Sequence, residues 1–471
     1  MQPCPETPVH PVTTSHSTTF FTALRRLVAH AFPVLIAQLA SVGMMMVDTV
    51  VLGHVGATDL AAVAIGGGIQ VSIVFALVGI LQAVAPMVAH RIGAGQDDEA
   101  TRVLQHGLYL ALFLALPGMA LLLYPGPLLA LAPMEPAVAA RVREYLGLLA
   151  WGLPASLLYR TFYAFSNALG QARMLMGIGL AGLGLHALLA WGFGLRGWGG
   201  EPWGAIGCAL ANVCVCWLEC VVAALWLGGG PLQRRFRVFG GWSRPQWPIW
   251  REMLRLGLPI GGMHFVEITA FTLIALLAAP LGAVAVAGHR VVASLAALIY
   301  MLPLSLAIAT LAAVGQAVGA RDWRCAETHV KAGLVLAAGL STLLGLILLL
   351  AAETVVGWAT DDPAVRKVGV NLVIYIAAYQ FFDALQTVAG YTLRAYHVTF
   401  APMLVQTVNF WGIGLGLGWW LCFRWSPPLG LDGFWLASVL SLVAAAAVLL
   451  WMLGRVMATS RNEPDRVLSK L

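Results

Sequence analysis

The segment from Leu254 to Pro280 is a long apolar run that carries a single carboxylate, Glu267, near its middle. About 20 apolar residues are enough for a helix to cross the hydrocarbon core of a bilayer. An acidic side chain inside such a helix costs roughly 2.5–3.5 kcal/mol on insertion scales, so it is rare and points to function. The segment therefore predicts a membrane-spanning helix with a functional acid.

Eleven further apolar runs accompany this segment and predict a polytopic membrane protein. The chain has 471 residues, of which 60% are hydrophobic and 10% charged, whereas a soluble domain carries about 25% charged residues. This composition predicts an all-α integral membrane fold with twelve transmembrane helices. Their expected limits are 30–53, 61–88, 103–124, 138–162, 172–195, 204–228, 253–280, 284–314, 329–351, 367–393, 399–423 and 432–457.

The basic residues are unevenly shared between the two ends of these helices. If twelve helices alternate across the membrane, nineteen Lys and Arg residues fall on the side of the termini and seven on the opposite side. Because basic loops favour the cytoplasmic side, we expect both termini in the cytoplasm. The basic residues lie in short loops between apolar runs, which suits a lipid bilayer and predicts no nucleic-acid partner.

The sequence also repeats itself with a period of about 226 residues. The repeated pairs are Pro33 and Pro259, Gly56 and Gly282, and Gly93 and Gly319. Each half holds six spans, so corresponding helices have the same sense, which predicts two six-helix lobes related by a parallel internal repeat. The expected parts are a disordered N-terminal cytoplasmic tail (1–28), an N-lobe (29–230), a cytoplasmic linker (231–251), a C-lobe (252–457) and a cytoplasmic C-terminal tail (458–471).

Three carboxylates are identified inside the spans: Asp48, Glu267 and Asp383. Asp383 shares its helix face with Gln386, and it could serve only as a polar contact between helices. Asp48 could equally reach the membrane interface. If Glu267 and Asp383 face each other, the coupled pair can accept a proton, or a Na⁺ held by carboxylate and carbonyl oxygens. Either ion would compete with a positively charged cargo, and such competition is the basis of exchange.

The residues around Glu267 suit an organic cation. His264 and Phe271 share its helix face, and Phe265 is close in sequence. Aromatic faces combined with a carboxylate are what a large cation prefers. The alternative interpretation is that Phe265 and Phe271 are ordinary contacts with lipid or with other helices.

Motifs for ATP-driven transport or for catalysis are missing from the sequence. The lysines Lys331, Lys367 and Lys470 are followed by Ala, Val and Leu, so no phosphate-binding loop of the Walker A type is present. No G-x-S-x-G or H-E-x-x-H motif occurs either. We therefore expect no enzyme and no cofactor, and uphill transport would draw on a gradient of H⁺ or Na⁺.

Three segments resemble the multidrug and toxic compound extrusion (MATE) family, in particular its NorM-type bacterial branch. They are FPVLIAQLASVGMMMVDTVVLGHVGATDLAAVAIG (32–66), FVEITAFTLIALLAAPLGAVAVAGHRV (265–291) and QFFDALQTVAGYTLRAY (380–396). The resemblance implies a cation-coupled exporter of organic cations in the inner membrane, with two lobes in a V around a central cavity. It also implies that Asp48 belongs to an N-lobe site. Glu267 and Asp383 would be the coupling and cargo-binding carboxylates, and the Na⁺ ligands if sodium is the coupling ion.

Two positions depart from the family pattern. The branch often has two asparagines in the fifth span, where this chain has His186 and Ala190. His186 can take a proton where an amide would help to hold Na⁺, which favours H⁺ coupling. It could instead be a neutral buried histidine with one hydrogen bond. Arg160 stands where the family tends to have a neutral residue, and a buried arginine needs a partner that the sequence does not reveal.

The sequence therefore predicts an antiporter of small organic cations that works by alternating access, with nothing that demands more than a monomer. A flippase for lipid-linked saccharides remains the alternative. It would need several cavity Arg or Lys residues for a pyrophosphate, and only Arg160 lies within a predicted span. A membrane enzyme would need polar side chains clustered at one membrane face, and a channel would show flux without exchange.

Overall fold

The structure is a computed structural model that describes residues 19–130, 135–197, 200–229 and 235–462. Within these ranges the chain is helical with no β-strand: α-helices are joined by short turns, by the π-helical segments Ala190–Leu195 and Val408–Leu417 and by the 3-10 helix Ala279–Leu281. The first half contains α1 (Phe20–Val55), α2 (Ala57–Leu81), α3 (Val84–Gly93), α4 (Asp97–Leu123), α5 (Gly126–Leu129), α6 (Pro136–Ala168), α7 (Ala172–Leu189) and α8 (Ala205–Gly229). The second half contains α9 (Trp247–Leu277), α10 (Ala283–Gly319), α11 (Trp323–Leu350), α12 (Ala352–Gly357), α13 (Pro363–Ala395), α14 (Phe400–Thr407), α15 (Gly418–Phe423) and α16 (Leu431–Asn462).

The predicted all-helical membrane fold is confirmed. Eleven helical segments of the described chain are long and apolar enough to cross a membrane. Helix α6 corresponds to the fourth predicted span and completes the set of twelve. Its 33 residues are long enough to cross a membrane, but they include the charged residues Arg141, Arg143, Glu144 and Arg160. The spans and the predicted limits agree to within several residues except at the two ends of the chain.

The first helix begins earlier than the sequence suggested. Residues 20–28, which were assigned to a disordered tail, form the start of α1. The Thr19 side chain caps this helix by accepting a hydrogen bond from the backbone N–H of Thr22 at 3.4 Å. Leu27 is fully buried in a cluster that includes Leu453 of α16, so packing against the opposite lobe keeps this segment helical. At the other end α16 continues to Asn462, and residues 1–18 and 463–471 lie outside the described part.

The first helix of each half begins in the core of the other lobe. Leu27 of α1 is buried among C-lobe residues, whereas Met253 of α9 is buried among N-lobe residues. These two positions are 226 residues apart, so the crossing obeys the internal repeat. The two lobes are therefore tied together at the end of the molecule that carries the chain termini.

Close glycine contacts show how tightly the lobes meet at this end. A Cβ atom on Gly93 would come within 2.0 Å of the backbone oxygen of Gln316, and one on Gly319 within 2.1 Å of the backbone oxygen of His90. Gly93 and Gly319 are 226 residues apart, and so are His90 and Gln316. The two contacts are therefore equivalent in the internal repeat, and α3 and α10 cross about the pseudo-twofold axis. Only a residue without a side chain allows the two backbones to approach this closely.

Two equivalent hydrogen bonds reinforce this crossing. His90 donates to the backbone oxygen of Ala395, and Gln316 Nε2 donates to the backbone oxygen of Ala168 at 2.6 Å. Each donor belongs to one lobe and each acceptor to the other. The lobes thus close on each other through a symmetric pair of contacts at their terminal end.

The described part of the predicted linker is fastened to the N-lobe rather than lying free. Gln105 of α4 donates to the backbone oxygens of Val238 and Gly241 at 2.9 and 3.0 Å. Arg235 forms an ion pair with Asp97 at 2.7 Å. Helix α9 begins at Trp247, inside the predicted linker range, and residues 230–234 lie outside the described part.

Candidate functional site

The C-lobe places Glu267 and Asp383 in one group of polar and aromatic side chains, which is called the C-lobe chamber below. Asp383 of α13 is 2% exposed, and Glu267 lies on the buried side of α9 with its side chain 26% exposed. The two carboxylates are close enough to interact electrostatically. The structure brings the two acids within electrostatic range of each other, and their action as a coupled pair stays a prediction.

Two glutamines orient Asp383. Gln386 Nε2 donates to Asp383 Oδ1 at 3.0 Å, as expected for residues three apart on a helix. Gln406 Nε2 then donates to Gln386 Oε1 at 3.2 Å. Because its amide oxygen is held by Gln406, Gln386 presents its NH₂ group to the carboxylate, which leaves the second oxygen of Asp383 for another partner.

Aromatic side chains line the same chamber. Tyr300, Tyr379 and Tyr391 interact electrostatically with Glu267. Phe271 packs edge-on against Tyr379, with the ring centroids 6.3 Å apart, so its predicted place on the Glu267 face is where the structure has it. Phenol and phenyl rings around carboxylates provide the surface that a flat organic cation prefers.

Phe265 lies apart from this buried set. Its side chain is 50% exposed. Residues two apart on a helix do not face the same way, so Phe265 and Glu267 point to different sides of α9. His264, by contrast, is buried, and its Nδ1 lies 4.0 Å from Glu267 Oε2.

An arginine that the sequence analysis placed on the inner face belongs to this chamber. Arg394 is 5% exposed and interacts electrostatically with Glu267. Its guanidinium carbon lies 4.0 Å from the centre of the Tyr391 ring. Arg394 was counted among the basic residues on the side of the termini, just beyond the predicted span 367–393, and the structure has α13 extending to Ala395 with Arg394 buried in its last turn. When both acids are ionised, the chamber carries two negative charges and one fixed positive charge.

One N-lobe side chain reaches this chamber. Gln82 Oε1 accepts a hydrogen bond from Arg394 Nη1 at 3.0 Å, and Gln82 Nε2 lies 3.1 Å from His264 Nε2. Gln82 sits in the break between α2 and α3. This break follows from Pro86, which cannot donate to the carbonyl four residues earlier and clashes with it. No short-range sequence signal marks Gln82, because its partners are 182 and 312 residues away.

The N-lobe contains the predicted pair of Asp48 and His186. His186 Nε2 lies 2.9 Å from Asp48 Oδ1, and the two residues are 0% and 8% exposed, respectively. Asp48 is therefore buried and paired instead of reaching the membrane interface. The other ring nitrogen of His186 is buried without a hydrogen-bond partner.

A fourth acid within the membrane helices was missed by the sequence analysis. Glu219 lies in the middle of α8, and a Cβ atom on Gly182 would come within 2.8 Å of its Oε1. Gly182 is one turn from His186 on α7, so Glu219 packs beside the pair with Asp48. The test used for Glu267, a lone carboxylate in a long apolar run, would have found Glu219.

Glu219 is the acid within electrostatic range of Arg160, although no ion pair within 4.0 Å joins them. The two side chains interact electrostatically across the N-lobe, and His186 interacts with Glu219 as well. The Arg160 guanidinium lies 5.8 Å from the centre of the Tyr163 ring. Each lobe therefore contains two acids, one histidine and one arginine, although they occupy different positions of the repeat.

The described residues show no group of three or more His, Cys, Asp or Glu side chains placed to hold a metal ion. Glu267 and Asp383 supply carboxylate oxygens, and backbone and amide oxygens of the same helices are the other oxygen ligands that Na⁺ could take. A proton needs only one of the carboxylates.

Comparison with known proteins places this architecture in one family. The MatE family model matches the chain twice, at residues 33–191 and 259–420, one match in each lobe. The probable multidrug resistance protein NorM of Aromatoleum aromaticum is 49% identical, over 94% of this chain and 96% of its own length. The probable multidrug resistance protein NorM of Chromobacterium violaceum is 35% identical, over 92% and 93%.

A solved structure shares the fold. The outward-facing conformation of a multidrug resistance MATE family transporter of the MOP superfamily superposes with a TM-score of 0.85. The match covers 95% of this chain and 99% of that one, at 20% sequence identity. At this identity the likeness concerns the fold alone.

Proposed function

The chain belongs to the MATE family of NorM type, and from this premise we propose that it is a secondary active antiporter that exports organic cations in exchange for H⁺ or Na⁺. The family relationship makes it a membrane transporter and not an enzyme. The multidrug resistance names of its relatives support small-molecule cargo, and their bacterial origin supports the inner membrane as its location. The unit of transport is a monomer, since both lobes of the site come from one chain.

The charge balance of the C-lobe chamber carries this proposal. Glu267 and Asp383 contribute two negative charges when ionised, and Arg394 contributes one positive charge at any physiological pH. Charge buried in a low-dielectric site is costly unless it is neutralised. Arg394 offsets only part of the charge of the two acids, so one monovalent cation, which can be a proton, a Na⁺ ion or a cationic cargo molecule, is favoured beside them.

Exchange follows because the two carboxylates hold one monovalent cation at a time. Cargo and coupling ion compete, because both are held by the same two carboxylates and the positive charges of the two cations repel each other. The aromatic rings of Phe271, Tyr379 and Tyr391 favour a large flat cation, and the carboxylates favour the small ion. A gradient of the small ion then drives cargo in the opposite direction.

Alternating access requires the lobes to close at one end and to open at the other. The contacts of Gly93 with Gln316 and of Gly319 with His90 close the end that carries the termini. With the termini in the cytoplasm, as the distribution of basic residues favours, this conformation presents the chamber to the outside. Cargo release and ion entry take place there, and the lobes then rock to expose the chamber to the cytoplasm.

The experiment is dye efflux from proteoliposomes under an imposed pH gradient or an imposed Na⁺ gradient. We expect only one gradient to drive efflux, and the Asp48–His186 pair favours the pH gradient. Glu267→Gln and Asp383→Asn should each abolish driven efflux while the protein still inserts and remains monodisperse. Efflux like that of the wild type in both variants would remove the mechanism.

The alternative of a lipid-linked saccharide flippase receives partial support from Arg394, a second arginine at membrane depth. Both arginines, however, interact with a carboxylate: Arg160 with Glu219, and Arg394 with Glu267. Neither lobe therefore offers the net positive charge that a pyrophosphate needs. Movement of a fluorescent lipid pyrophosphate between leaflets, in the absence of dye efflux, would favour the flippase.

A further inference from the structure

A basic cavity lies at the end of the C-lobe that carries the chain termini, where α11 begins and α16 ends. Its volume is about 560 Å³. Arg321 and Arg324 line it from the start of α11, and Arg461 lines it from the last turn of α16. Both helices are long and apolar enough to cross a membrane, so their ends place the cavity at the depth of the lipid headgroups.

The acidic side chains of the cavity are engaged with other groups. Asp322 Oδ1 accepts a hydrogen bond from the backbone N–H of Cys325 at 3.0 Å and so caps α11. Glu327 forms an ion pair with Lys331 at 2.7 Å, and its interaction with Arg461 acts over a longer distance. Within the described part of the chain, none of the three cavity arginines forms an ion pair. Their guanidinium groups are therefore free to donate hydrogen bonds to an anion.

The turn that precedes α11 has the same backbone as its counterpart in the N-lobe. The N–H of Arg321 donates to the oxygen of Val318 at 2.9 Å, and the N–H of Gly95 donates to the oxygen of Ile92 at 3.0 Å. The φ angle is 60° at Arg321 and 72° at Gly95. Glycine is the ordinary residue in this left-handed region. The arginine is therefore held in a conformation that its side chain disfavours, an arrangement that is common at binding sites.

The charges at this corner also differ between the lobes. Arg235 forms an ion pair with Asp97 at 2.7 Å, whereas Trp323 stands in the place of that carboxylate beside Arg461. The preference for basic residues at this end of the spans applies to both lobes alike, so it does not account for the difference. The residues 226 positions apart are Asp97 and Trp323, Asp98 and Arg324, and Arg235 and Arg461.

We propose that this cavity binds the phosphate group of an anionic phospholipid from the leaflet at the same end of the molecule. Three guanidinium groups around one cavity suit a phosphate, because its oxygens accept bidentate hydrogen bonds from arginine. Trp323 is half-buried in the cavity wall, and tryptophan favours the membrane interface. Basic pockets between membrane helices bind anionic headgroups in the same way.

The surface of α11 beyond the cavity provides a place for the acyl chains. Lys331, Val335 and Leu346 lie on one exposed side of this helix. An acyl chain can follow the apolar part of that side while the headgroup occupies the cavity. A free phosphate ion makes no use of this apolar surface, so the geometry favours the lipid.

The nine residues that follow Asn462 are the other candidate occupant. They contain two acidic and two basic side chains, so they carry no net charge from side chains that would attract them to a basic cavity. An anionic phospholipid carries a net negative charge and is therefore the better match.

The inference is independent of the proposed antiport. The cavity lies outside the C-lobe chamber, and neither Glu267 nor Asp383 lines it. A lipid that contacts the start of α11 and the end of α16 links two helices of one lobe. Its role is therefore to stabilise the C-lobe, whichever ion drives transport.

The test is hydrogen–deuterium exchange of the full-length protein in a nonionic detergent, after removal of bound lipid. Phosphatidylglycerol, the neutral lipid phosphatidylcholine and inorganic phosphate are added in separate titrations. We expect phosphatidylglycerol to slow exchange in residues 321–331 and to leave the equivalent N-lobe residues 95–105 unchanged. Phosphatidylcholine and inorganic phosphate should need concentrations at least about tenfold higher for the same protection.

A double variant gives the cavity the residues of the N-lobe. Arg321→Gly suits the left-handed backbone, and Arg324→Asp introduces the acid of the matched position. Each basic residue near an anionic headgroup contributes about fivefold in affinity, so the phosphatidylglycerol concentration for half-protection should rise about twenty-five-fold or more. Arg321→Lys combined with Arg324→Lys keeps both charges and should stay within about fivefold of the wild type. Arg102→Gln, which removes an exposed arginine of the N-lobe at the same end, should leave the concentration unchanged.

Three results would overturn the inference. One is equal affinity for phosphatidylglycerol in the wild type and in Arg321→Gly, Arg324→Asp. Another is protection by inorganic phosphate at the same concentration as by phosphatidylglycerol, which would make this a site for a soluble anion. The third is slow exchange in residues 321–331 without lipid that is lost in Glu463→Gln, Asp465→Asn, which would assign the cavity to the end of the chain. Monodisperse elution of each variant, together with retained binding in the lysine double variant, distinguishes lost binding from failure to fold.

Discussion

Nε2 of His186 lies 2.9 Å from Oδ1 of Asp48, and both residues are buried in the N-lobe. A histidine and a carboxylate at this distance can share a proton, whereas amide oxygens at the same place would suit a metal cation. We expect His186→Asn to reduce efflux driven by a pH gradient, because it removes the protonatable partner of Asp48. His186→Gln is a second, larger variant that also lacks a titratable side chain, so it should behave in the same way.

The measurement is the initial rate of dye efflux at a series of pH gradients, with and without Na⁺. Rates in His186→Asn and His186→Gln should both fall under a pH gradient. Unchanged rates in both variants would show that the pair is structural, that is, a neutral histidine with one hydrogen bond.

Glu219 and Arg160 form the second charged set of the N-lobe. We expect the presence of both charges to stabilise the folded protein more than the presence of either charge alone. Both residues are partly buried within the membrane helices, where removing one of two opposite charges leaves the other uncompensated, whereas removing both does not. We expect Glu219→Gln and Arg160→Gln each to lower the melting temperature in detergent, and the double variant to be more stable than either single variant. Strictly additive losses in this double-mutant cycle would show that the two residues are not coupled.

The hydrogen bond from Gln386 to Asp383 should set how strongly the C-lobe chamber holds its cation. Gln386→Leu removes the donor that orients Asp383, at a cost of about 1.5–3 kcal/mol for a hydrogen bond to a charged group. We expect a change of about tenfold or more in the proton or Na⁺ concentration that half-displaces bound dye. Gln406 acts on Asp383 only through Gln386, so Gln406→Leu should change this concentration less than Gln386→Leu does. A larger change in Gln406→Leu would contradict this arrangement.

The crossing of α3 and α10 predicts a strong effect of one added methyl group. In Gly93→Ala the new Cβ atom would meet the backbone oxygen of Gln316, so the lobes must separate at that end or the helices must shift. We expect increased labelling of a cysteine introduced at Ala317, which is buried beside the same crossing and already carries a Cβ atom. Gly67→Ala is the control, because nothing lies within 4 Å of its Cβ position, and equal labelling in the two variants would contradict the close contact.

Much of the fold could be predicted because it follows from patterns that are visible in the sequence itself. Long apolar runs predict the spans, and the 226-residue spacing of Gly93 and Gly319 predicts two equivalent lobes that the structure shows meeting at those glycines. Asp48, Glu267 and Asp383 were found because an acid in an apolar run is conspicuous. Glu219 also lies inside a long apolar run, so the same criterion would have identified it from the sequence.

The other missing residues could not be found in this way. Gln82 and Arg394 stand out only because they form a hydrogen bond with each other, and 312 residues of chain separate them. Nothing in the sequence around Gln82 distinguishes it from other polar residues near a helix break. Arg394 follows an apolar helix and looks like an ordinary loop cation until the lobes pack over it. Contacts between lobes depend on how two preformed bundles meet, and single-sequence patterns do not encode this directly.

The central claim is that one cation and one cargo molecule compete for the chamber of Glu267 and Asp383. Calorimetric titration of purified protein with a cationic dye, in two buffers that differ in ionisation enthalpy, counts the protons released on binding, and the dependence of dye affinity on Na⁺ concentration counts the Na⁺ ions displaced. We predict about one proton or one Na⁺ displaced per dye in the wild type, and none in the double variant Glu267→Gln, Asp383→Asn. Dye binding that displaces no ion in the wild type, or the same number in the double variant, would contradict the claim.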